Sequence, residues 1–145
     1  MARRVFFSFE YENDVTRAMV VRNSATTQEI AGFIDAAAFE TIEEQGNDAI
    51  AAWIDDQLLM TTVTVVLFGQ YTCSSEWVKY EVEQSEARGN GMLGIDISKI
   101  KNFNGETGVC CGQLGGGYPH YRWNNDQGYK NFGTWIEDAA HAAGK

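Results

Sequence analysis

The chain has 145 residues, of which 44% are hydrophobic and 12% aromatic, and this length and composition predict a single globular domain over residues 1–145. Its formal net charge of −9 argues against a general nucleic-acid binder, and it requires any anionic ligand to find local positive potential. The three cysteines allow no zinc-type spacing, and the chain has neither a signal-peptide pattern nor an apolar run of about 18 residues. We therefore expect a cytoplasmic protein without a metal site and without a membrane partner.

The first third of the chain begins with a strand. Val5–Phe9 (VFFSF) is a nearly continuous apolar run, which is typical of a parallel strand covered on both faces. Asp14 is the expected cap of a helix that ends near Asn23. Gly32–Asp35 (GFID) is predicted to form the second strand, and residues 36–46 to form a loop or a partly helical connection.

The middle third predicts a helix, a strand and a second helix. Asn47–Met60 has apolar residues at three- and four-residue spacing, which gives the helix one apolar face. Thr62–Phe68 is rich in β-branched residues and predicts a strand that ends at Gly69. Ser74 or Ser75 can cap the next helix, which is predicted to run to Arg88 and to stop at Gly89.

The last third begins with a predicted strand at Gly91–Ile97. Ser98–Gly128 is rich in glycine and asparagine, and we interpret it as a long irregular connection with a short strand at Tyr121–Trp123. A last helix is predicted over Asn131–Ala143. The alternation of strands and helices predicts a three-layer α/β domain, with a parallel sheet of about five strands in the order 2-1-3-4-5 and helices on both faces.

In such sheets, ligands bind beyond the carboxyl ends of the strands. The predicted helix after Ser75 begins in this region, and its Glu81 is an unusual residue. The inward face of this helix is marked by Trp77, Val78, Val82 and Ser85, and at about 100° per residue Glu81 falls between Trp77 and Val78. Burying a carboxylate costs several kcal/mol unless it is paired or used. The pattern alone leaves two readings about equally open, a structural bond to a neighbour and a functional carboxylate.

Other polar residues near this edge have ordinary structural explanations. Asp35 ends a predicted strand and more often simply caps the loop that follows. Ser8 can be a core hydroxyl bonded to a neighbouring strand, and the Phe6–Phe9 aromatic cluster is more often core than ligand platform.

The cysteines and histidines give weaker indications. Cys73 precedes the helix cap, where its pKa can be lowered, although a small buried cysteine is the more common case. Cys110 and Cys111 are expected to be incidental. His120 and His141 lie far apart in the sequence and have no partner motif.

Three segments, in this order and spacing, resemble the motifs of TIR domains. Val5–Tyr11 (VFFSFEY) resembles their first strand, and Phe33–Asp35 (FID), with a loop that reaches Gly46, resembles their second strand and BB loop. Residues 77–81 (WVKYE) resemble the Trp-x-x-x-Glu segment that carries the catalytic glutamate of NAD-cleaving TIR domains. Longer stretches, among them SSEWVKYEVEQSEARGNGMLGIDI and YRWNNDQGYKNFGTWIEDAA, resemble the stand-alone ThsB proteins of bacterial Thoeris anti-phage systems, whereas residues 101–117 carry no resemblance.

The resemblance implies a flavodoxin-like TIR fold and an NAD glycohydrolase or ADP-ribosyl cyclase activity. NAD would be the substrate, no further cofactor would be needed, and a cyclic ADP-ribose-type product would activate a separate effector. Self-association and a phage-derived trigger are also implied. Glu81 would be catalytic, and the predicted substrate-binding residues are Phe6, Ser8, Asp35, Phe39, Ser74 and Trp77.

One position departs from the family pattern, since many NAD-cleaving TIR domains have a basic residue after the first strand and this chain has Glu10 and Tyr11. Arg3, Arg4 and Arg22 are expected at the opposite edge of the sheet. We therefore expect helix amides near Ser74 and Ser75 to bind the phosphates.

Two other functions are compatible with this fold. The first is a TIR-like scaffold or adaptor without chemistry, which would not need the pair of Trp77 and Glu81. The second is a nucleoside deoxyribosyltransferase-like enzyme, which would use a glutamate as a covalent nucleophile. A flavodoxin-like receiver is disfavoured, because Phe6–Phe9 offers no acidic cluster.

Overall fold

The computed structural model describes residues 3–24, 29–31 and 41–145. In these ranges, strands and helices alternate along the chain. The strands are β1 (Arg4–Phe9), β2 (Glu29–Ala31), β3 (Val63–Phe68), β4 (Gly91–Asp96) and β5 (His120–Arg122). The helices are α1 (Tyr11–Ser24), α2 (Asn47–Leu58), α3 (Glu76–Ala87) and α4 (Gly128–Ala142), and a short 3-10 helix spans Thr72–Ser74.

The strands form one sheet in the order β2-β1-β3-β4-β5, and every neighbouring pair is parallel. β3 occupies the middle because all six of its side chains are buried and β-branched or apolar side chains suit that position. Parallel pairing brings the carboxyl ends of β1, β3 and β4 to one edge of the sheet. The predicted α/β architecture, with a parallel sheet between helices, is confirmed.

Alternate side chains of each strand enter two separate cores, one on each face of the sheet. Val5 and Phe7 of β1 face α1 and α4, where Phe132 and Ile136 pack against them. Phe6 faces the other way, into a cluster with three buried side chains of α2. Ser8 follows Phe6 at the strand period of two residues, and it therefore faces the α2 and α3 side of the sheet.

Helix α1 begins earlier than the sequence predicted, and Asp14 is not its cap. The carboxylate of Glu10 accepts the backbone N–H groups of Glu12 and Asn13, at 3.2 and 3.0 Å. Asp14 lies inside the helix, where it is buried and forms a salt bridge with Arg17 at 3.0 Å. The prediction was wrong because the partner of Asp14 is another buried charge and not an unpaired helix N–H.

The ends of two other elements also differ from the predictions. The structure has a strand at Glu29–Ala31, while the predicted strand at Gly32–Asp35 lies outside the described residues. Helix α4 begins three residues before Asn131, at Gly128. Gly128 lies directly against the indole ring of Trp123, where a Cβ would have no room, and this close approach permits the earlier start.

The cysteines are also arranged differently from the prediction. Cys73 and Cys111 form a disulfide with 5.9 Å between their Cα atoms, so that Cys111 is not incidental and Cys73 is not a buried thiol. The two residues are 38 positions apart, and they meet because the long connection folds back to the end of β3, where the Cys111 N–H donates to the Gly69 carbonyl at 3.1 Å.

Within the described ranges, no helix combines the length and apolar character that crossing a membrane requires.

Candidate active site

A cavity of about 160 Å³ opens at the carboxyl edge of the sheet, between β1 and the helices α2 and α3. It is small beside the roughly 300–1,000 Å³ of a typical ligand site, so it has room for one end of an extended ligand. Twelve described residues line it: Phe9, Glu10, Tyr11, Glu12, Ile42, Glu43, Ile50, Trp53, Ile54, Ser75, Trp77 and Glu81.

Helix α3 directs Glu81 into this cavity. Ser75 caps the helix, since its Oγ accepts the backbone N–H of Val78 at 3.2 Å. From that start the 3.6-residue period places Val78, Glu81 and Ser85 on the buried face. Glu81 is only 7% exposed. A carboxyl group therefore occupies a helix face that otherwise packs against the sheet.

Ser8 is the hydrogen-bond partner of Glu81. Its hydroxyl, fully buried on β1, donates to Glu81 Oε1 at 2.8 Å. Glu81 forms no salt bridge with any residue in the described part of the chain. Burial raises the pKa of Glu81 to about 8, and the Ser8 hydrogen bond lowers it in part. With this pKa the carboxyl group is mostly protonated at neutral pH, and a cation beside it would favour its ionised form.

Aromatic side chains form the walls of the cavity. The rings of Phe9 and Tyr11 lie with their centroids 6.2 Å apart, and Trp77 meets Tyr80 edge to face at 5.8 Å. The Tyr80 hydroxyl donates to Asp55 of α2 at 2.8 Å, which ties the two helices that enclose the cavity. Such walls exclude water and offer π faces to a planar or cationic ligand group.

Three further carboxylates, those of Glu10, Glu12 and Glu43, lie in the lining with Glu81. No lysine or arginine is among the described residues that line the cavity. The potential inside is therefore negative, which favours a positively charged ligand group and disfavours a phosphate.

Residues 6–102 match a family model described as "Thoeris protein ThsB, TIR-like domain". The match covers about two-thirds of the chain, and it includes both Ser8 and Glu81. The chain belongs to the ThsB family of TIR-like domains.

A curated relative of this ThsB-family chain carries the name "Putative cyclic ADP-D-ribose synthase ThsB1" and comes from Bacillus cereus (strain MSX-D12). The two sequences are 39% identical over an alignment of 109 residues, and the alignment covers 72% of this chain and 57% of the relative. The chain thus spans little more than half the length of that protein.

Three of the predicted site residues meet in the ThsB-family structure, namely Ser8, Trp77 and Glu81. Phe6 lies deeper, fully buried in the cluster beneath the cavity. Ser74 is exposed outside the lining, and its hydroxyl donates to the Tyr71 carbonyl at 3.0 Å, whereas its neighbour Ser75 lines the cavity. Asp35 and Phe39 lie outside the described residues.

Sequence reasoning missed the residues that shape the walls and mouth of the cavity. Phe9, Tyr11 and Trp53 were interpreted only as parts of a strand, a motif and an apolar helix face. Trp53 is half-buried in the structure, and it lines the cavity together with Ile50 and Ile54 of the same helix. The pairing of Ser8 with Glu81 joins residues 73 positions apart and had no local signal.

Proposed function

We propose that this chain cleaves NAD at the nicotinamide–ribose bond and converts the remaining part into a cyclic ADP-ribose-type signal. The observation that carries the proposal is the buried Glu81 carboxyl group in an aromatic cavity that has acidic residues and no basic residue among its described lining. The name of the Bacillus cereus relative, a cyclic ADP-D-ribose synthase, supports the same reaction.

The nicotinamide end of NAD fits the chemistry of the cavity. Its ring carries a positive charge in NAD, and that charge moves to the ribose as the bond breaks, which gives an oxocarbenium-like transition state. We propose that the cationic end lowers the pKa of Glu81 on binding, so that its proton is released to solvent and the carboxylate faces the ribose. Nicotinamide departs as a neutral molecule and needs no proton, so one carboxylate is sufficient.

The aromatic walls decide the fate of the ribose cation. If water reaches the anomeric carbon, the product is linear ADP-ribose, and a nucleophilic atom of the adenosine half gives the cyclic product instead. Phe9, Tyr11 and Trp77 restrict the access of water to Glu81, and this favours the cyclic product. We retain Ser8 and Trp77 as substrate-site residues, with Phe6 behind them, while Asp35, Phe39 and Ser74 stay predictions.

The diphosphate needs a different environment from the acidic cavity. We place it outside the mouth, toward the backbone at the start of α3 near Ser75. Association with a second copy of the chain would add surface at this mouth and complete the site. A phage-derived trigger would promote that association, and a separate effector would bind the cyclic product.

The test compares the parent chain with Glu81→Gln, with and without lysate from infected cells. Nicotinamide release is followed, and the mass of the second product is determined. We expect Glu81→Gln to lower the rate about 10²–10³-fold, because the transition state loses its charge partner. Glu83→Gln is the matched control, since Glu83 is exposed on the same helix and outside the cavity.

Equal rates for the parent and Glu81→Gln would contradict the catalytic assignment. Near-ultraviolet circular dichroism of both variants checks that the cavity residues stay packed. If no sample releases nicotinamide under any trigger, the scaffold function replaces the enzyme. A linear product would preserve the cleavage step and reject the cyclisation step.

A further inference from the structure

The segment 109–115, called the strap below, lies across one flank of helix α3. It has no regular secondary structure, and its Cys110 and Leu114 pack against the apolar cluster of Val66, Phe68 and Val78. A groove of about 330 Å³ separates the strap from α3. The Glu81 cavity lies on the other flank of the same helix. Helix α3 therefore has the cavity on one side and the strap on the other.

A disulfide and a few hydrogen bonds fasten the strap in addition to this packing. Cys111 is bonded to Cys73, which lies two residues before the Ser75 cap of α3. The Cys111 N–H donates to the Gly69 carbonyl, and the Cys110 thiol donates to Gly112 within the strap itself. The Cys73 N–H also donates to Cys111 Sγ at 3.1 Å, so the disulfide and this hydrogen bond join the strap to the segment just before α3, beside the packing of Cys110 and Leu114.

The disulfide is open to attack from solvent. Both Cys73 and Cys111 are exposed, so a small thiol can reach either sulfur. Cys110 is adjacent to Cys111 but is half-buried, and burial raises the pKa of its thiol. Because a thiolate is the attacking species in disulfide exchange, the burial of Cys110 disfavours internal exchange and favours attack by an external thiol.

We propose that the Cys73–Cys111 disulfide is a redox-controlled fastener that holds the strap against α3 and stiffens the helix carrying Glu81. The reductant is a dithiol. One of its thiolates attacks Cys73 or Cys111, which breaks the S–S bond and forms a mixed disulfide, and its second thiol resolves that intermediate. Two electrons and two protons pass to the protein, which gains two thiols, and the reductant leaves as a disulfide.

The proposal is tested on the whole chain by amide hydrogen exchange. Exchange rates are measured by mass spectrometry before and after treatment with dithiothreitol. Peptide mapping of the unreduced protein first identifies the bonded cysteines. We expect the amides of the strap and of the first turn of α3 to exchange at least about tenfold faster after reduction. Cys111→Ser should exchange at the faster rate with or without reductant. Cys110→Ser is the matched control and should respond to reduction as the parent does.

Unchanged exchange in the parent after reduction, or the absence of a bond between Cys73 and Cys111 in the unreduced protein, would overturn the proposal. If Cys111→Ser fails to fold, the reduced parent supplies the same comparison. Nicotinamide release from the same samples should fall on reduction, and this part rests on the proposed function. If reduction leaves the amide exchange rates unchanged, the proposed role of the disulfide is wrong. If the oxidised parent releases no nicotinamide, only the proposed enzyme activity is contradicted.

Discussion

Glu81 is a buried carboxyl group, and burial raises its pKa. With a pKa raised from 4.5 to about 8, the folded chain holds the proton over a pH range where the unfolded chain has lost it. The stabilising effect of this protonation is complete below about pH 4.5 and is lost as the pH rises through about 8. Burial is the larger cause, and the hydrogen bond from Ser8 opposes it.

We expect kcat/KM for NAD to increase with pH and to level off above about pH 8, because this ratio reports the ionisation of the free enzyme and the reaction needs the carboxylate. Ser8→Ala removes the hydrogen bond that favours the charged form, so its profile should move to higher pH. Activity would then fall most at neutral pH and recover on the alkaline plateau. Initial rates of nicotinamide release across the pH range measure both profiles.

Ser85→Ala is the control, because Ser85 is equally buried on α3 but its hydroxyl accepts a hydrogen bond from the Thr64 hydroxyl and is not bonded to Glu81. It should leave the pH profile in place.

Urea unfolding measures the pKa of Glu81 without any catalysis. Relative to Glu81→Gln, the parent should lose about 3–5 kcal/mol of unfolding free energy between about pH 4 and pH 9. A pH-independent difference would show that Glu81 titrates normally.

At the scale of elements, a buried ion pair joins helix α1 to the connection after β4. Arg17 forms its salt bridge with Asp14, and it also donates to the carbonyls of Ile100 and Glu106, at 2.6 and 2.9 Å. Asp14 lies directly against Gly69 at the end of β3, where a Cβ would have no room. Arg17 thus joins α1 to the connection after β4, and its partner Asp14 lies against the end of β3.

Arg17→Met should lower the free energy of unfolding by about 3–5 kcal/mol, because it leaves Asp14 buried without a charge partner. Urea denaturation at neutral pH measures the loss. Adding Asp14→Asn should recover part of it, since the amide carries no charge. Arg122→Met removes an exposed arginine from its pair with Asp126 and should cost no more than about 1 kcal/mol. Similar losses for Arg17→Met and Arg122→Met would contradict the structural role of the buried pair.

Local patterns predicted the elements that local forces specify. α2, β3 and α3 have strong periodicity or clear caps, and their observed bounds differ from the predicted ones by at most two residues at either end. The periodicity of α3 also predicted that Glu81 faces inward, and Glu81 is buried in the structure. The errors arise where parts of the chain that are far apart in sequence meet, as Asp14 does when it is buried against Gly69 at the end of β3. No local signal encodes the meeting of Ser8 with Glu81 or of Cys73 with Cys111, since each needs the finished sheet.

At the scale of the whole molecule, the charges are unevenly distributed. All eleven lysines and arginines fall within the described ranges, and none of them is among the described residues that line the cavity. Several are engaged elsewhere, as Arg3 is with Glu137. A net charge of −9 and the acidic mouth both oppose the approach of NAD, whose phosphates outweigh its single cationic ring.

Salt should therefore promote NAD cleavage. Raising the ionic strength from about 0.01 M to about 0.15 M shortens the Debye length from about 30 Å to about 8 Å, which screens the repulsion between the phosphates and the acidic mouth. We expect kcat/KM for NAD to increase a few-fold over this range. Initial rates are compared at protein concentrations where light scattering shows no change in association, since salt also weakens the repulsion between copies of the chain.

Nicotinamide riboside is the matched substrate, because it keeps the cationic ring and ribose but lacks the phosphates. Its kcat/KM should decrease with salt, since screening weakens the attraction between its charge and the carboxylates of the mouth. Glu12→Gln removes one of these carboxylates and should reduce both salt effects, while Glu83→Gln makes the same charge change outside the cavity and should alter them less. If NAD cleavage instead declines with salt as nicotinamide riboside cleavage does, the phosphates are held by positive potential, and a basic surface from a partner must then be present at the mouth.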